Sequence, residues 1–169
     1  MLYADFKDKK LSTLGLGCMR LPVIDGDEKR IDVEKAEEMI AYAMANGVNY
    51  FDTAWGYHGG NSEEVTGQIL RKYPRDSYYI ASKFPGYDLS NMGKVEEIFE
   101  AQLAKTGMEY FDFYMLHNVC ELNIDEYLDE TEQELALMQE LGYNSVRLIL
   151  EYVVWEKEHE AFLSNFERY

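Results

Sequence analysis

Residues 48–57 read Val-Asn-Tyr-Phe-Asp-Thr-Ala-Trp-Gly-Tyr. Val48 to Thr53 is a short apolar run with the length of a buried strand, and a helical stripe precedes it at Val33, Ala36, Ile40, Ala43 and Met44. Asp32 stands where that helix needs an N-cap, and Asn46-Gly47 is its stop signal. The same alternation recurs on both sides. Leu14 to Leu21, Tyr78 to Phe84 and Tyr110 to His117 are further strand-like runs. Asn61, with Glu64 three residues on, predicts a capped helix through Leu70, and Val95, Ile98, Phe99 and Leu103 mark the next helix, ending near Gly107. Thr131 with Glu134 opens another helix, which stops at Gly142. A strand follows at 144–150 and a helix at 155–169.

Strand ends fall near residues 21, 52, 83, 117 and 151, a steady spacing of a little over thirty residues. Buried strands alternating with amphipathic helices at that spacing imply a parallel α/β sheet. A TIM barrel is the leading architecture, but its eight units need about 250 residues. The expected fold is therefore a partial TIM (β/α) barrel: about five parallel strands with crossover helices, incomplete. No linker or low-complexity stretch interrupts residues 1–169, so they read as one domain.

Composition narrows the function classes. Hydrophobic residues make up 47% of the 169, enough to bury a core. The net charge of −16 disfavours nucleic acid and anionic membranes as partners. No apolar run of about 18 residues is present, so no membrane span is expected, and the N-terminus shows no signal peptide. Cys18 and Cys120 form no CxxC and imply no disulfide framework, which suits a reducing cytoplasm. His58 and His159 lack metal partners at ligand spacing, so no metal is expected.

Chemistry in such a barrel sits at the C-terminal ends of the strands. Three consecutive ends carry Asp52, Lys83 and His117, and Tyr57 lies in the loop after the second strand. Each has an ordinary structural reading alone; at matched strand ends they gain meaning together. A phenol is a poor proton donor at neutral pH, and a nearby ammonium helps by stabilising the phenolate. Lys83 would serve Tyr57 in this way, with Asp52 holding the lysine charged and His117 hydrogen-bonding a carbonyl. The group would protonate a carbonyl oxygen while a hydride, which no side chain supplies, arrives from a cofactor.

Residues 1 to about 129 resemble the aldo-keto reductase family. The carrying segments are Leu14-Gly15-Leu16-Gly17-Cys18-Met19-Arg20-Leu21-Pro22, Tyr50 to Tyr57, Asn61-Ser62-Glu63-Glu64, Ala81-Ser82-Lys83 and Tyr110 to His117. The resemblance implies a catalytic tetrad of Asp52, Tyr57, Lys83 and His117, with Tyr57 as general acid, acting with NADPH on a small carbonyl substrate. It places Gly17, Cys18, Met19 and Asp52 next to the cofactor. The bacterial branch whose members often carry an iron–sulfur domain is the most similar, but its cysteine run is absent, so no cluster is implied. Family members hold most of the dinucleotide with later strands, so weakened NADPH binding is expected here.

The tail carries a second, shorter resemblance. Leu141-Gly142-Tyr143-Asn144-Ser145-Val146-Arg147-Leu148 and Val154-Trp155-Glu156 resemble a helix–strand–helix unit of a cellulase- or xylanase-like barrel glycoside hydrolase. Glu151 supplies one carboxylate where a hydrolase needs two, and a structural pairing with Arg147 is the simpler reading. The chain is thus expected to join a reductase front, 1–129, to a unit of different origin, 130–169, as a fusion, a designed chimera or a truncated form. Its end at Glu167-Arg168-Tyr169 without a helix stop is read as truncation. A non-catalytic partial barrel is the alternative function. A cut barrel would also leave sheet edges open to self-association or to a complementary fragment.

Overall fold

The computed structural model describes residues 1–129. The helix at Thr131, the strand at 144–150 with its end near 151, the helix at 155–169 and the unit assigned to 130–169 lie outside the described residues.

The chain opens with a hairpin, β1 (Tyr3–Phe6) against β2 (Lys9–Ser12), in antiparallel register. Then come β3 (Leu16–Gly17), α1 (Val33–Ala45), β4 (Tyr50–Asp52), α2 (Ser62–Leu70), β5 (Tyr79–Phe84), α3 (Val95–Thr106), β6 (Phe113–Leu116) and α4 (Ile124–Asp129). Strands β3, β4, β5 and β6 form one sheet in that order, every pair parallel. This is the front of a (β/α) barrel, with no closed barrel among the described residues. No helix among them is long and apolar enough to cross a membrane.

Alternation along the strands assigns each residue to a face. Phe51 of β4 and Ile80 of β5 pack against Ile40 of α1 and Ile69 of α2, all fully buried. Phe84, Tyr114 and Leu116 pack against Val95, Ile98 and Phe99 of α3. Tyr50, Tyr79, Ala81, Phe113 and Met115 occupy the opposite face. Each large buried aliphatic or aromatic side chain contributes roughly 1.5–3 kcal/mol.

Several sequence expectations hold in detail. Asp32 caps α1 by accepting from the Lys35 N–H, and Gly107 ends α3 in the left-handed region at φ 64°. Two need correction. The first strand ends at Gly17 rather than near residue 21, because Cys18–Arg20 turns into a short 3-10 helix as Ser62 draws in the Cys18 carbonyl (2.9 Å). Asn61 precedes α2 but does not cap it with its side chain; its amide donates instead to the Lys29 carbonyl at 2.9 Å.

The hairpin is a feature that the sequence did not announce. Phe6 meets Phe113 at 5.8 Å between ring centroids, and Leu11 packs on the same face. Asn49, just before β4, fastens it: its Oδ1 accepts from Ser12 N–H (2.8 Å) and its Nδ2 donates to the Lys10 carbonyl (2.9 Å). The hairpin therefore covers the N-terminal ends of the strands and leaves their C-terminal ends for the site. At that covered end, Arg75 donates to Asp112 (2.7 Å) and lies 3.9 Å from the Tyr110 ring centroid, tying the starts of β5 and β6 together.

Helices α2 and α3 cross closely at Gly67. A Cβ there would lie 2.1 Å from the Thr106 carbonyl oxygen, a backbone atom that cannot step aside. Gly67→Ala is expected to lower unfolding stability by on the order of 3 kcal/mol. Denaturant titration would read it, and an unchanged midpoint would show that the helices can separate freely.

Candidate active site

The site is assembled from the ends of β4, β5 and β6. Asp52 is the last residue of β4 and pairs with Ala81, so Lys83 stands one inward-facing position further along β5. Lys83 is 3% exposed. Its Nζ donates to Asp52 Oδ1 at 2.6 Å, to the Thr53 carbonyl at 2.7 Å and to the Tyr57 hydroxyl at 3.4 Å. The same nitrogen lies 4.9 Å from the Tyr57 ring centroid. A buried ammonium needs acceptors of this kind to offset its lost hydration.

Tyr57 is delivered by the loop after β4. The loop tightens where Tyr57 N–H bonds the Ala54 carbonyl, and it then passes through His58 at φ 55° and Gly59 at φ 64°. A left-handed conformation is unusual for histidine, and ring contacts hold it there. His58 Nε2 accepts from Leu21 N–H (3.0 Å), so Nδ1 carries the proton and donates to the Glu28 carbonyl (2.7 Å). His58 is thereby a structural clamp that fixes the neighbouring tyrosine. Among the described residues, no group of His, Cys, Asp and Glu is placed to hold a metal ion.

His117 follows β6 and continues its ladder, its N–H bonding the Phe84 carbonyl at 3.0 Å. Its ring stands edge-on to Tyr57, with centroids 5.6 Å apart. Asp52, Tyr57, Lys83 and His117 therefore do share one mouth. Tyr87 joins them from the loop after β5, its ring 5.1 Å from His117. Burial pushes the Tyr87 phenol above its ordinary value, with Asp88 and Tyr57 adding to the shift. Sequence reasoning missed Tyr87, because a tyrosine in the Pro85-Gly86 turn carries no periodic signal.

The cofactor-side candidates divide. Gly17 pairs with Asp52 across β3 and β4, and among the described residues a Cβ there would meet nothing within 4 Å. Met19 is exposed beside it. Cys18 is different: its thiol is fully buried in the core and burial pushes it up to about 11. Its carbonyl accepts from the Ser62 hydroxyl (2.9 Å) and its side chain faces the core rather than the mouth.

Behind the mouth lies a second polar cluster. Glu63 is fully buried, and its Oε1 accepts from Ser82 Oγ (2.6 Å) and Gln102 Nε2 (2.5 Å) while Oε2 faces Lys105 Nζ (3.4 Å). Desolvation raises the Glu63 carboxyl above its ordinary value, although Ser82, Gln102 and Lys105 each pull it back. Lys105 also lies 3.9 Å from the Trp55 ring centroid.

Known proteins resemble the chain in sequence and in fold. A family model described as Aldo/keto reductase family matches residues 13–143, beyond residue 129 where the sequence pattern was read as ending. An uncharacterized oxidoreductase, YqkF of Bacillus subtilis (strain 168), is 30% identical over 159 residues, covering 86% of this chain and 49% of its own. The NADH-specific methylglyoxal reductase of Escherichia coli (strain K12) is 32% identical over 130 residues, covering 65% of this chain and 39% of its own. The chain thus spans about half, or less, of the length of these curated relatives. Among solved structures, the holo aldo-keto reductase AKR11C1 from Bacillus halodurans superposes with a TM-score of 0.63 at 28% identity, over 82% of this chain and 46% of its own. An aldo-keto reductase from Klebsiella pneumoniae, solved in complex with NADPH, gives a TM-score of 0.60 at 23% identity, over 85% of this chain and 47% of its own.

The buried carboxyl has a consequence for stability. Because folding raises the Glu63 value, the folded chain binds that proton more tightly than the unfolded chain does. Its contribution is fully present below the ordinary value of 4.5 and is lost as pH rises through the raised folded value. The difference in unfolding free energy between the chain and Glu63→Gln should therefore decline as pH climbs from 4.5 and then level off. A flat difference across that window would contradict the assignment.

Proposed function

The chain belongs to the aldo/keto reductase family, and on that premise we propose that it is an oxidoreductase reducing a small carbonyl compound to an alcohol with NADPH. The observation that carries the reading is the Lys83 ammonium, buried between the Asp52 carboxylate and the Tyr57 hydroxyl at the ends of two adjacent strands. That arrangement suits one task, giving up a phenolic proton and tolerating the charge left behind.

In this reading the substrate carbonyl oxygen sits between Tyr57 and His117. Tyr57 passes its proton to the oxygen as the carbonyl carbon gains a hydride, and Lys83 stabilises the phenolate that remains. Asp52 holds the ammonium in place through its 2.6 Å contact. His117, edge-on to Tyr57, orients the oxygen by a hydrogen bond. When bound, NADPH supplies the hydride. The open space at Gly17, level with Asp52, fits a ligand passing close to the backbone, and exposed Met19 would line it. Free Cys18 and Cys120 suit a reducing, cytoplasmic setting.

The test uses the full chain with millimolar NADPH and a panel of small aldehydes, followed at the NADPH absorbance. Turnover is expected to fall by about a hundredfold or more in Tyr57→Phe and in Lys83→Met, with little change in NADPH affinity. Turnover that survives Tyr57→Phe would overturn the assignment. Absence of NADPH binding by a folded chain would favour the second reading, a non-catalytic partial barrel. Sedimentation of the same samples would show whether activity accompanies self-association along the outer strands of the described sheet, β3 or β6.

A further inference from the structure

Strand β5 presents Lys83 to the mouth and Ser82 to the helices, so whatever grips Ser82 also sets the root of the lysine. The grip comes from α2. Glu63, in the first turn of that helix, accepts from Ser82 Oγ and from Gln102 Nε2 of α3. The Gln102 amide nitrogen also reaches the Lys83 carbonyl at 3.1 Å, and its oxygen accepts from the Tyr114 hydroxyl of β6. The cluster thus links α2, β5, α3 and β6 directly behind the lysine, and Glu63, Ser82 and Gln102 are all fully buried.

The residue before Glu63 works on the other end of the same side chain. Ser62 donates to the Cys18 carbonyl (2.9 Å) and contacts Thr53 Oγ1 (2.9 Å). Thr53 in turn offers its carbonyl to Lys83 Nζ. One dipeptide at the start of α2 therefore fixes both the backbone from which Lys83 departs and an acceptor at which it arrives.

We propose that Glu63 is a positioning residue for the site: acting through Ser82 and Gln102, it sets where the Lys83 ammonium meets Asp52 and Tyr57. A carboxylate suits the position because one of its oxygens accepts two short hydrogen bonds at once. A buried acid beneath a strand costs desolvation, and an apolar residue of similar volume would fill the space at lower cost. Its effect on the lysine supplies a reason for the acid to be there. The inference rests on Lys83 belonging to the site described under Proposed function, but its readout does not need turnover.

The experiment follows the side-chain ammonium protons of Lys83 in the unliganded, nitrogen-15-labelled full chain, with the signal identified by its loss in Lys83→Met. A held, buried ammonium exchanges slowly with water. In Glu63→Ala, exchange at Lys83 is expected to quicken by about tenfold or more while backbone amides of β4 and β6 keep their protection. Glu63→Gln retains an oxygen for Ser82 and Gln102 and should restore most of the protection. Should Glu63→Ala fail to fold, Ser82→Ala and Gln102→Met sever the same link from its other ends and are judged identically.

An unchanged Lys83 signal in a folded variant would overturn the proposal. So would Lys83 and the strand amides changing in step, which is what a purely structural carboxylate produces, or a Lys83 signal already too fast to observe in the wild type. Loss of the reductase reading has a different mark: no NADPH-dependent turnover, with the Lys83 response to Glu63→Ala intact.

Discussion

A lysine ammonium 3% exposed constrains everything around it. Removing such a charge from water is costly, and the fold must return acceptors within hydrogen-bond reach. Asp52 and the Thr53 carbonyl do so only because β4 and β5 run parallel in a register that pairs Asp52 with Ala81. Shift that register by one residue and Asp52 turns toward the helices while Phe51 turns into the mouth. The apolar packing of Phe51 and Ile80 on α1 and α2 thus enforces the same register that the ion pair requires. Packing and electrostatics specify one arrangement, which is the consistency expected of a sequence with a single folded state.

The opposite side of β5 repeats the problem with the sign reversed. Glu63 buries a carboxylate against α3 and is answered by a hydroxyl, an amide and, at longer range, an ammonium. Lys105 divides itself between that carboxylate and the Trp55 ring on the rim of the mouth. A buried ammonium and a buried carboxyl therefore stand back to back across one strand. In a low-dielectric interior each stiffens its own surroundings, and side chains pinned on both faces leave β5 little freedom to move.

The part of this that was legible in the sequence is the part carried by periodicity. Asp52, Lys83 and His117 were readable because parallel strands recur at even spacing and end in chemistry, and Asp32 and Gly107 because helix caps are local. The Glu63 cluster was not readable. Ser82, Gln102 and Lys105 lie 19, 39 and 42 residues from Glu63, and a glutamate or glutamine in a helix normally signals the solvent side. The hairpin escaped notice for a related reason. Its short strands, exposed along β1 and opening on two lysines in β2, look like surface, and Phe6 and Leu11 gain apolar neighbours only where the fold brings Phe113 and its cluster to them. Asn61 misled in the other direction: a residue type well suited to capping was taken up by a carbonyl in another loop.

The contacts also divide the labour of the site. Among the described residues, Lys83 reaches Asp52, Thr53 and Tyr57, the His117 ring stands edge-on to Tyr57, and the Tyr127 hydroxyl donates to the His117 carbonyl. In the proposed reading, proton delivery falls to groups at the ends of three successive strands and in the loop after the first of them. On the cofactor side of that reading, among the described residues, Gly17 and Met19 offer an open approach and the Cys18 thiol is turned into the core. A site built this way separates two requirements that carbonyl reduction joins. Placing an acid within about 3 Å of an oxygen needs a few rigid side chains, whereas holding a long dinucleotide needs surface from many strands. In that reading the described strands already hold Lys83 within hydrogen-bond reach of Asp52 and Tyr57, in a register set by the packing of Phe51 and Ile80 on α1 and α2.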